Sequence, residues 1–355
     1  MRVLHVVRPA TGGIRRHVLN LLDGFDPAQV TNSVAAPGSF IRDIQDSRHL
    51  YATIPLKIAP KLALFSDLRL ARQLARVQPQ FGEIVHAHGV RAAWIAALAH
   101  RHRPFPLIFT AHNQIDFDVP ARLGISFIGR HCVKVLAVSQ SVADSVAACG
   151  VPSSKIVVVP NGIDHSYFSP SPISRAQSRA EYALPESAFV VATAARFSPE
   201  KGLDTLLQAA RQRGGMTFLI AGDGPLFTSL SHDLPPSVKL LGRLDDVRPL
   251  LAAADVFAVP SRREGQGIAA LEAMAAGVPV VASRVGGLAE MLTDGETALL
   301  IPPDDPDALA ATLSRLQSDA RLRRNLAASA ASLVRASYGL QTMLDTLTEI
   351  YKTLA

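Results

Sequence analysis

Two carboxylates in the stretch REGQGIAALEAMAAGVPVV, residues 263–281, are the first candidates for chemistry in this sequence. Glu264 and Glu272 stand eight positions apart and enclose two glycines and a glutamine. A carboxylate accepts hydrogen bonds from a pair of neighbouring hydroxyls, so one interpretation is a site for a sugar or a ribose. The alternative is that both are ordinary surface charges. The backbone groups that could approach a ligand between them belong to Gly265, Gln266, Gly267 and Ile268.

A basic pair marks a second candidate site in the stretch ARFSPEKGLDTLLQAA. Arg196 and Lys201 are five positions apart in a loop that contains Pro199, and they bracket the start of a predicted helix. The helix dipole favours an anion there, and an arginine fork with a lysine point charge suits a diphosphate. A solvated pair of cations is the alternative. The sequence contains no GxxxxGK[ST] pattern, so this loop is not a P-loop.

Glycines and histidines supply a third group of candidates in the first half of the chain. In TGGIRRHV, Gly12 and Gly13 would let the backbone approach a ligand at a helix N-terminus, although a simple glycine turn is the alternative. The pattern is not GxGxxG. Ten of the eleven histidines lie in this half, and we expect His5 to be a structural hydrogen-bond donor. We also expect the side chains of His86 and His88 to point to opposite faces of one strand and therefore not to share a ligand.

The composition is that of a globular protein with an uneven charge distribution. A length of 355 residues with 48% hydrophobic and 19% charged residues favours two domains with large cores. Up to Phe168 there are 18 Lys and Arg against 10 Asp and Glu, so this half should attract phosphates or an anionic lipid surface, unless it is only a solvated basic face. Nucleic acid is disfavoured because the basic residues are dispersed and aromatic residues make up only 6%. Cys132 and Cys149 indicate reduced thiols in a cytosolic protein, and neither a signal peptide nor a transmembrane helix is expected.

Short apolar runs alternate with helical stretches in two series, from RVLHVV to KIVVVP and from FVVATAARF to ALLIPP. Buried strands that alternate with helices indicate parallel sheets covered on both faces. We therefore predict an α/β fold of two doubly wound Rossmann-like domains facing a cleft, with ligands at the carboxyl ends of the strands. The predicted boundaries are a domain at 1–168, a Pro- and Ser-rich linker at 169–186, a domain at 187–337 and a helix at 338–355 that crosses the domain junction.

The order of these motifs resembles that of a known enzyme family. The Glu264…Glu272 pattern with AMAAGVPVVAS, preceded by GGIRRHVLNL, VHAHG, FTAHN, VVPNGID, RFSPEKGLDTLLQA and IAGDGPL, is similar to the retaining group 1 (family 4) glycosyltransferases of GT-B fold. The resemblance spans nearly the whole chain. It implies that the chain is a hexosyltransferase of the bacterial polysaccharide-biosynthesis type, with an acceptor-side first domain and a second domain that binds a nucleotide sugar.

The resemblance also implies roles for the candidate residues. Arg196 and Lys201 would hold the donor pyrophosphate, Glu264 the transferred sugar and Glu272 the ribose. The remaining implied ligand contacts are His112 at the reacting sugar, Leu244 near the base, and backbone at Gly12, Gly13 and Gly265, Gln266, Gly267 and Ile268. A family position that is usually aromatic or hydrophobic is occupied here by Gln266.

We expect a nucleotide-sugar donor, a UDP-sugar, and a glycan, lipid-linked or small-molecule acceptor, with no nucleic acid. No metal cofactor is expected, because the Arg196 and Lys201 cations would take its place and the loop aspartates 245–246 and 304–305 are of a type that is usually solvated. The expected location is cytoplasmic, with peripheral contact to the anionic inner face of the cell membrane. The alternatives left open are a nucleotide-sugar epimerase of the same architecture and a binding protein without turnover.

Overall fold

The computed structural model describes residues 1–10, 12–59, 62–115, 119–169, 174–212 and 214–354. The chain forms two compact units, the first made of 1–162 with 340–355 and the second of 163–339. Each contains a parallel sheet covered by helices, which confirms the predicted pair of Rossmann-like α/β domains.

The described part of the first unit contains a seven-stranded parallel sheet in the order β3-β2-β1-β4-β5-β6-β7. Its central strands are buried along their whole length, as expected for strands with helices on both faces. The strands are β1 Arg2–Val7, β2 Thr31–Ala36, β3 Leu50–Pro55, β4 Ile84–His88, β5 Leu107–Ala111, β6 Lys134–Ala137 and β7 Ile156–Val158. The helices are α1 Gly13–Gly24, α2 Gly38–Ile44, α3 Leu64–Phe81, α4 Val90–His102, α5 Val119–His131 and α6 Gln140–Ala148, with a 3-10 turn at Ser153–Lys155.

The described part of the second unit contains a six-stranded parallel sheet in the order β10-β9-β8-β11-β12-β13. The strands are β8 Phe189–Ala194, β9 Met216–Ala221, β10 Val238–Gly242, β11 Val256–Val259, β12 Val280–Ser283 and β13 Leu299–Ile301. The helices are α7 His165–Phe168, α8 Arg175–Glu181, α9 Leu203–Gln212, α10 Phe227–Ser231, α11 Arg248–Ala253, α12 Ile268–Ala275, α13 Gly286–Met291, α14 Pro306–Ser318 and α15 Ala320–Ser337, with a 3-10 turn at Pro199–Lys201.

The structure places the boundary between the units after Gly162, six residues before the end of the predicted first domain. The stretch predicted as a linker contains α8, and its buried Arg179 donates to Asp255 Oδ2 over 2.8 Å in the second unit. Parts of the predicted linker, residues 170–173, lie outside the described residues. The Pro and Ser residues of the segment are typical of a loop, and the helix α8 is too short to show a clear periodic pattern.

The last helix, α16 Leu340–Lys352, belongs to the first unit, where it packs against α1. Its Tyr351 is fully buried, and the phenol lies 2.6 Å from His86 Nδ1 on β4. The C-terminal segment therefore completes the core of the first unit.

Among the described residues, no helix combines the length and apolar character needed to span a membrane. Cys132 and Cys149 are both buried free thiols, and burial raises the pKa of Cys132 to about 12. A thiol held in its protonated form is a weak nucleophile, so Cys132 is a packing residue.

Candidate active site

The second unit joins two of the predicted site residues in one ion pair. Lys201 ends the 3-10 turn after β8, and Glu264 lies in the loop after β11. The Lys201 Nζ atom donates to both carboxylate oxygens of Glu264, over 2.9 and 2.7 Å, and the Ser261 hydroxyl donates to the same carboxylate over 3.1 Å. The two side chains are 22% and 11% exposed. The pair is thus partly desolvated, yet still open to a ligand.

A glycine lets the lysine loop approach the end of β11. Gly202 has a φ of +60°, and a Cβ atom there would lie 2.0 Å from the carbonyl oxygen of Pro260. Any other residue would clash with this backbone as well as adopt a left-handed conformation. Gly202 therefore allows the loop of Lys201 to come close enough for the contact with Glu264.

Arg262 connects three loops at the same edge of the sheet, a role that the sequence did not reveal. Its guanidinium donates to both carboxylate oxygens of Asp204, over 2.9 and 2.7 Å, and its Nε atom lies 2.5 Å from Asp304 Oδ1. Its NH1 group also donates to the Pro199 carbonyl over 2.7 Å. The hydrogen bond from Arg262 lowers the pKa of Asp204, because the guanidinium stabilises the carboxylate. The network holds the Lys201 turn against the Glu264 loop.

Three of the aspartates weighed as metal ligands have structural roles in the second unit. Asp304 faces Arg262, and the side chain of Asp305 caps α14 by accepting from the Ala308 N–H over 2.8 Å. Asp246 chelates Arg248 through both carboxylate oxygens. These carboxylates therefore stabilise loops and the start of a helix.

The glycine-rich segment after Glu264 forms the start of α12. Gly267 caps this helix with a φ of +95°, a conformation that glycine adopts without strain. Gln266 is 3% exposed, and Glu272 is 7% exposed on the second turn of α12. The Glu264 carbonyl accepts from the Gly287 N–H over 3.2 Å, which ties the segment to the start of α13. Glu264 therefore lies in the loop that leads into α12, and Glu272 lies in the helix itself.

Arg196 and Leu244 follow two strands of the second unit, Arg196 in the same loop as Lys201 and Leu244 after β10. The side chain of Arg196 is exposed. The next residue, Phe197, is fully buried, and its backbone N–H donates to the carbonyl of Asp223 over 2.7 Å. Leu244 follows β10, is partly buried and packs against the core cluster that contains α12. Both stand at carboxyl ends of strands, where ligands of doubly wound sheets bind.

The predicted residues of the first unit also gather at the carboxyl ends of its strands. Gly12 caps α1 with a φ of +61°, and open space surrounds the position of its missing Cβ. Gly13 begins α1, and His112 follows β5 with 9% exposure. The imidazole of His17 on α1 stands edge-on to His112, with ring centroids 4.8 Å apart, and its Nδ1 atom lies 2.8 Å from Asn161 Oδ1.

The expectation for His86 and His88 is wrong. Residues two apart on a strand point to the same face, and the two ring centroids are 4.2 Å apart. His88 Nε2 lies 3.0 Å from His5 Nδ1, so these rings form one buried cluster. His5 Nε2 lies 3.0 Å from Asn32 Oδ1, consistent with the structural role expected for His5.

Three ring nitrogens of the cluster have no hydrogen-bond partner among the described residues: His17 Nε2, His88 Nδ1 and His112 Nε2. His17, His88 and His112 each have a ring nitrogen within 4.8 Å of a ring nitrogen of the other two. His5, His86 and His88 form a second group with the same spacing. Either group could hold a metal ion, since neutral imidazole is a metal ligand. Equally, the nitrogens could face the hydroxyls of a ligand.

Burial keeps these imidazoles uncharged. Desolvation lowers the pKa of His5 and of His17 to about 4. Desolvation also lowers the pKa of His86, His88 and His112 well below the usual value. The first-unit cluster is therefore neutral at pH 7, and His112 can act there as a hydrogen-bonding group but not as a cation.

Comparison with known proteins covers both units. The family model described as Glycosyltransferase Family 4 matches residues 11–167, and the model described as Glycosyl transferases group 1 matches residues 188–319. The D-inositol 3-phosphate glycosyltransferase of Kribbella flavida is 30% identical in an alignment of 333 residues, which covers 84% of this chain and 77% of that protein.

A second relative is the GDP-mannose-dependent alpha-(1-6)-phosphatidylinositol monomannoside mannosyltransferase of Mycolicibacterium smegmatis. It is 30% identical, with 69% of this chain and 72% of that protein covered. Among solved structures, Anabaena HepE in complex with UDP-glucose superposes with a TM-score of 0.88 at 22% identity over 100% of both chains. This likeness establishes the fold.

Proposed function

Since the chain belongs to the group 1 glycosyltransferases, we propose that it transfers a sugar from a nucleotide-sugar donor, a UDP-sugar, with retention of anomeric configuration. The observation that carries the proposal is the Lys201–Glu264 ion pair at 2.7 Å in the second unit. It places a cation for a phosphate and a carboxylate for sugar hydroxyls side by side. Sugar transfer from a nucleoside diphosphate needs these two functions next to each other.

At the donor end, Lys201 and Arg196 bind the pyrophosphate and stabilise the negative charge that develops as it leaves. Glu264 accepts hydrogen bonds from hydroxyls of the transferred sugar, and its contact with Lys201 holds the carboxylate in place. Glu272, on the same helix-forming segment, binds the ribose hydroxyls. The backbone from Gly265 to Ile268 approaches the donor between the two carboxylates.

The transfer step is a front-side displacement at the anomeric carbon. The bond from that carbon to the diphosphate oxygen breaks, and a bond to the acceptor oxygen forms on the same face. The acceptor proton passes to the departing diphosphate, so the atoms balance without a protein base. The Lys201 and Arg196 cations offset the charge on the diphosphate until the proton arrives.

In the first unit, His112 binds the reacting sugar as a neutral hydrogen-bonding group. Its Nε2 atom has no partner among the described residues, and burial lowers the pKa of the ring well below its usual value. Gly12 and Gly13 bring the backbone at the start of α1 to the same strand edge. The acceptor in this proposal is a glycan, a lipid-linked or a small-molecule hydroxyl compound, in bacterial polysaccharide synthesis at the inner face of the membrane.

Donor choice rests on Leu244 and Gln266. In this proposal Leu244 contacts the base and Gln266, which is buried, selects a sugar hydroxyl. One relative is named for its use of GDP-mannose, so a GDP-sugar is the competing donor class.

A donor panel with UDP-glucose, UDP-N-acetylglucosamine, GDP-mannose and ADP-glucose tests the proposal. The protein is incubated with each donor and an acceptor mixture, and nucleotide release and product mass are measured. Acceptor-dependent UDP release supports the proposal. Preferential GDP release would overturn the donor assignment, and isomerised nucleotide sugar would identify an epimerase.

No metal ion is needed in this proposal, because Lys201 and Arg196 supply the positive charge. Full transfer in an excess of EDTA is the expected result. Loss of transfer that Mg²⁺ or Mn²⁺ restores would contradict it.

A further inference from the structure

Three histidines of the first unit come together from three different elements at the carboxyl edge of its sheet. His17 lies on α1, His88 ends β4, and His112 follows β5. Because β4 pairs with β5, His88 and His112 are neighbours, and their ring centroids are 5.8 Å apart. The ring of His17 lies 5.3 Å from that of His88 and 4.8 Å from that of His112. We refer to these three residues as the three-histidine site.

The hydrogen bond of His17 fixes its tautomer. The Nδ1 atom lies 2.8 Å from the side-chain oxygen of Asn161. An amide oxygen only accepts hydrogen bonds, so Nδ1 carries the ring proton and donates it to Asn161. The Nε2 atom therefore presents a lone pair. This atom is buried, and no described residue forms a hydrogen bond with it.

The tautomer of His88 follows from a chain of two hydrogen bonds. His5 Nε2 donates to the side-chain oxygen of Asn32 over 3.0 Å, so His5 Nδ1 is an acceptor. His88 Nε2 donates to this acceptor over 3.0 Å, which leaves a lone pair on His88 Nδ1. Within the described part of the chain, this lone pair has no donor either. Two neighbouring rings, those of His17 and His88, thus each present a buried acceptor that is not satisfied.

A metal ion fits this arrangement better than a hydroxyl does. A hydroxyl donates one hydrogen and leaves one of the two acceptors unsatisfied, whereas a metal ion binds both lone pairs together with His112. Each of the three residues offers a ring nitrogen within 4.8 Å of the other two. In a tetrahedral zinc site with Zn–N bonds of about 2.0–2.1 Å, ring centroids lie about 5.2 Å apart. The separations in the three-histidine site, 4.8 to 5.8 Å, bracket this value.

From this geometry we infer that His17 Nε2, His88 Nδ1 and His112 Nε2 bind a transition-metal ion of the zinc class. Imidazole nitrogens suit zinc, copper and nickel, whereas magnesium and calcium require oxygen ligands. The hydrogen bond from His17 to Asn161 is of the kind that orients a metal-bound imidazole, and the bond from His88 to its own acceptor has the same effect. Of the three side chains, His112 is the most open, at 9% exposure, so the fourth coordination position faces the strand edge.

The metal ion and the donor sugar compete for His112. The proposed function assigns His112 Nε2 to the reacting sugar, so an ion bound to the same atom excludes the sugar. This competition rests on the proposed function, whereas the metal site itself does not. The ion is therefore an inhibitor of transfer, in agreement with the full activity that we expect in EDTA.

Cobalt binding tests the metal site without donor or acceptor. The untagged full chain is freed of metal with EDTA, desalted and titrated with Co²⁺, and the visible absorption band of four-coordinate cobalt is recorded. We expect one Co²⁺ per chain, displaced by Zn²⁺ but not by Mg²⁺, because imidazole is a poor ligand for magnesium. Absence of the four-coordinate band would overturn the metal site and assign a bridging water to it.

Three variants locate the ion. His17→Gln removes a ligand and should weaken cobalt binding at least about 100-fold, and Asn161→Leu removes only the outer hydrogen bond and should weaken it about 10- to 100-fold. His102→Gln changes an exposed histidine at the end of α4 and should leave the affinity unchanged. Thermal melts in EDTA show whether each variant folds, and Asn161→Leu decides if His17→Gln does not. Unchanged affinity in the folded site variants would overturn the inference.

Arg8→Gln should change the affinity in the opposite direction. Burial is the main cause that lowers the pKa of His112, and the charges of His17 and Arg8 add to it. The Arg8 charge repels a metal ion at the same ring, so Arg8→Gln should tighten cobalt binding about threefold. An affinity that is unchanged or weaker would place the ion away from His112 and contradict the assignment.

Zinc inhibition tests the competition. Zn²⁺ should slow transfer by the unmodified protein, excess donor and EDTA should each restore the rate, and His17→Gln should need at least about 100-fold more Zn²⁺ for the same inhibition. A protein that transfers at an unchanged rate with the cobalt or zinc site filled would overturn the competition. Failure of the transferase proposal is distinguishable, because it appears as an absence of transfer in the metal-free protein while cobalt binding persists.

Discussion

The two units differ in the charge of the polar side chains at the carboxyl ends of their strands. The second unit uses charged groups and pairs them: Lys201 with Glu264, and Arg262 with Asp204. The first unit buries a cluster of histidines and keeps them neutral by desolvation. The polar side chains at the carboxyl ends of the strands are therefore charged and ion-paired in the second unit, and buried and uncharged in the first.

Loss of the lysine should have the largest effect. In the proposed mechanism, Lys201→Ala removes the cation that stabilises the leaving diphosphate, and we expect kcat/KM to fall by at least about 10³-fold, as for the loss of a transition-state stabilising donor. Lys239→Ala is the matched control, because its ammonium donates to the Tyr182 carbonyl over 2.8 Å elsewhere in the second unit. Steady-state rates of nucleotide release measure both, and a Lys201→Ala variant with the activity of the control would remove the lysine from the mechanism.

The glycine between the two loops should be the next most sensitive position. Gly202→Ala forces a Cβ atom against the Pro260 carbonyl, so we expect a loss of at least about 2 kcal/mol in the free energy of unfolding together with reduced donor binding. Gly277→Ala has a similar φ of +73° but open space around the Cβ, and it should cost about 1 kcal/mol without an effect on binding. Denaturant unfolding and UDP titration are measured for both variants. Equal losses of unfolding free energy and of UDP affinity would show that the left-handed backbone conformation, and not the clash with Pro260, causes the effect.

Acid should destabilise the first unit through its histidines. The pKa of His5 and of His17 is about 4 in the folded protein and 6.5 in the unfolded chain, so unfolding takes up protons below pH 6.5. The stabilisation is complete above pH 6.5 and is lost as the pH falls toward 4, with a limit of about 3 kcal/mol for each ring. Calorimetry from pH 7.5 to 4.5 should show a falling Tm, whereas a constant Tm would mean that the cluster is hydrated.

The outer ion pair of the loop network should matter least. Asp304 is 54% exposed, so Asp304→Asn should change the free energy of unfolding by less than about 1 kcal/mol, as for other exposed pairs. Asp204→Asn disrupts the bidentate contact with Arg262 and should cost more than Asp304→Asn, together with a higher KM for the donor. Equal effects in the two variants would show that Arg262 does not hold the loops.

Much of the fold could be predicted because local patterns encode it. Buried apolar runs such as those of β4 and β8 identified the strands, and their alternation with helices identified two parallel sheets. The linker was misread because α8 is short and lies beside Pro and Ser residues. Its place in the second unit depends on the contact between Arg179 and Asp255, 76 positions apart, which no local pattern encodes.

The candidate site was predictable in its residues but not in its pairings. Lys201 and Glu264 were each named, yet their contact joins positions 63 apart and follows from the neighbouring strands β8 and β11. Arg262 was missed because an arginine between Ser261 and Arg263 resembles any solvated loop residue. The cluster around His86 and His88 was missed through an error in strand periodicity, which a correct count of alternate residues would have revealed.

The configuration of the product tests the central claim most directly. Proton NMR of the anomeric signal, recorded on the product of transfer from the best UDP-sugar of the donor panel, reports its configuration, because a glycoside does not equilibrate between anomers. Retaining transfer at the Lys201–Glu264 pair predicts the same anomeric configuration as the donor, formed by the unmodified enzyme and abolished in Lys201→Ala. An inverted product, or transfer that survives the loss of Lys201, would contradict it.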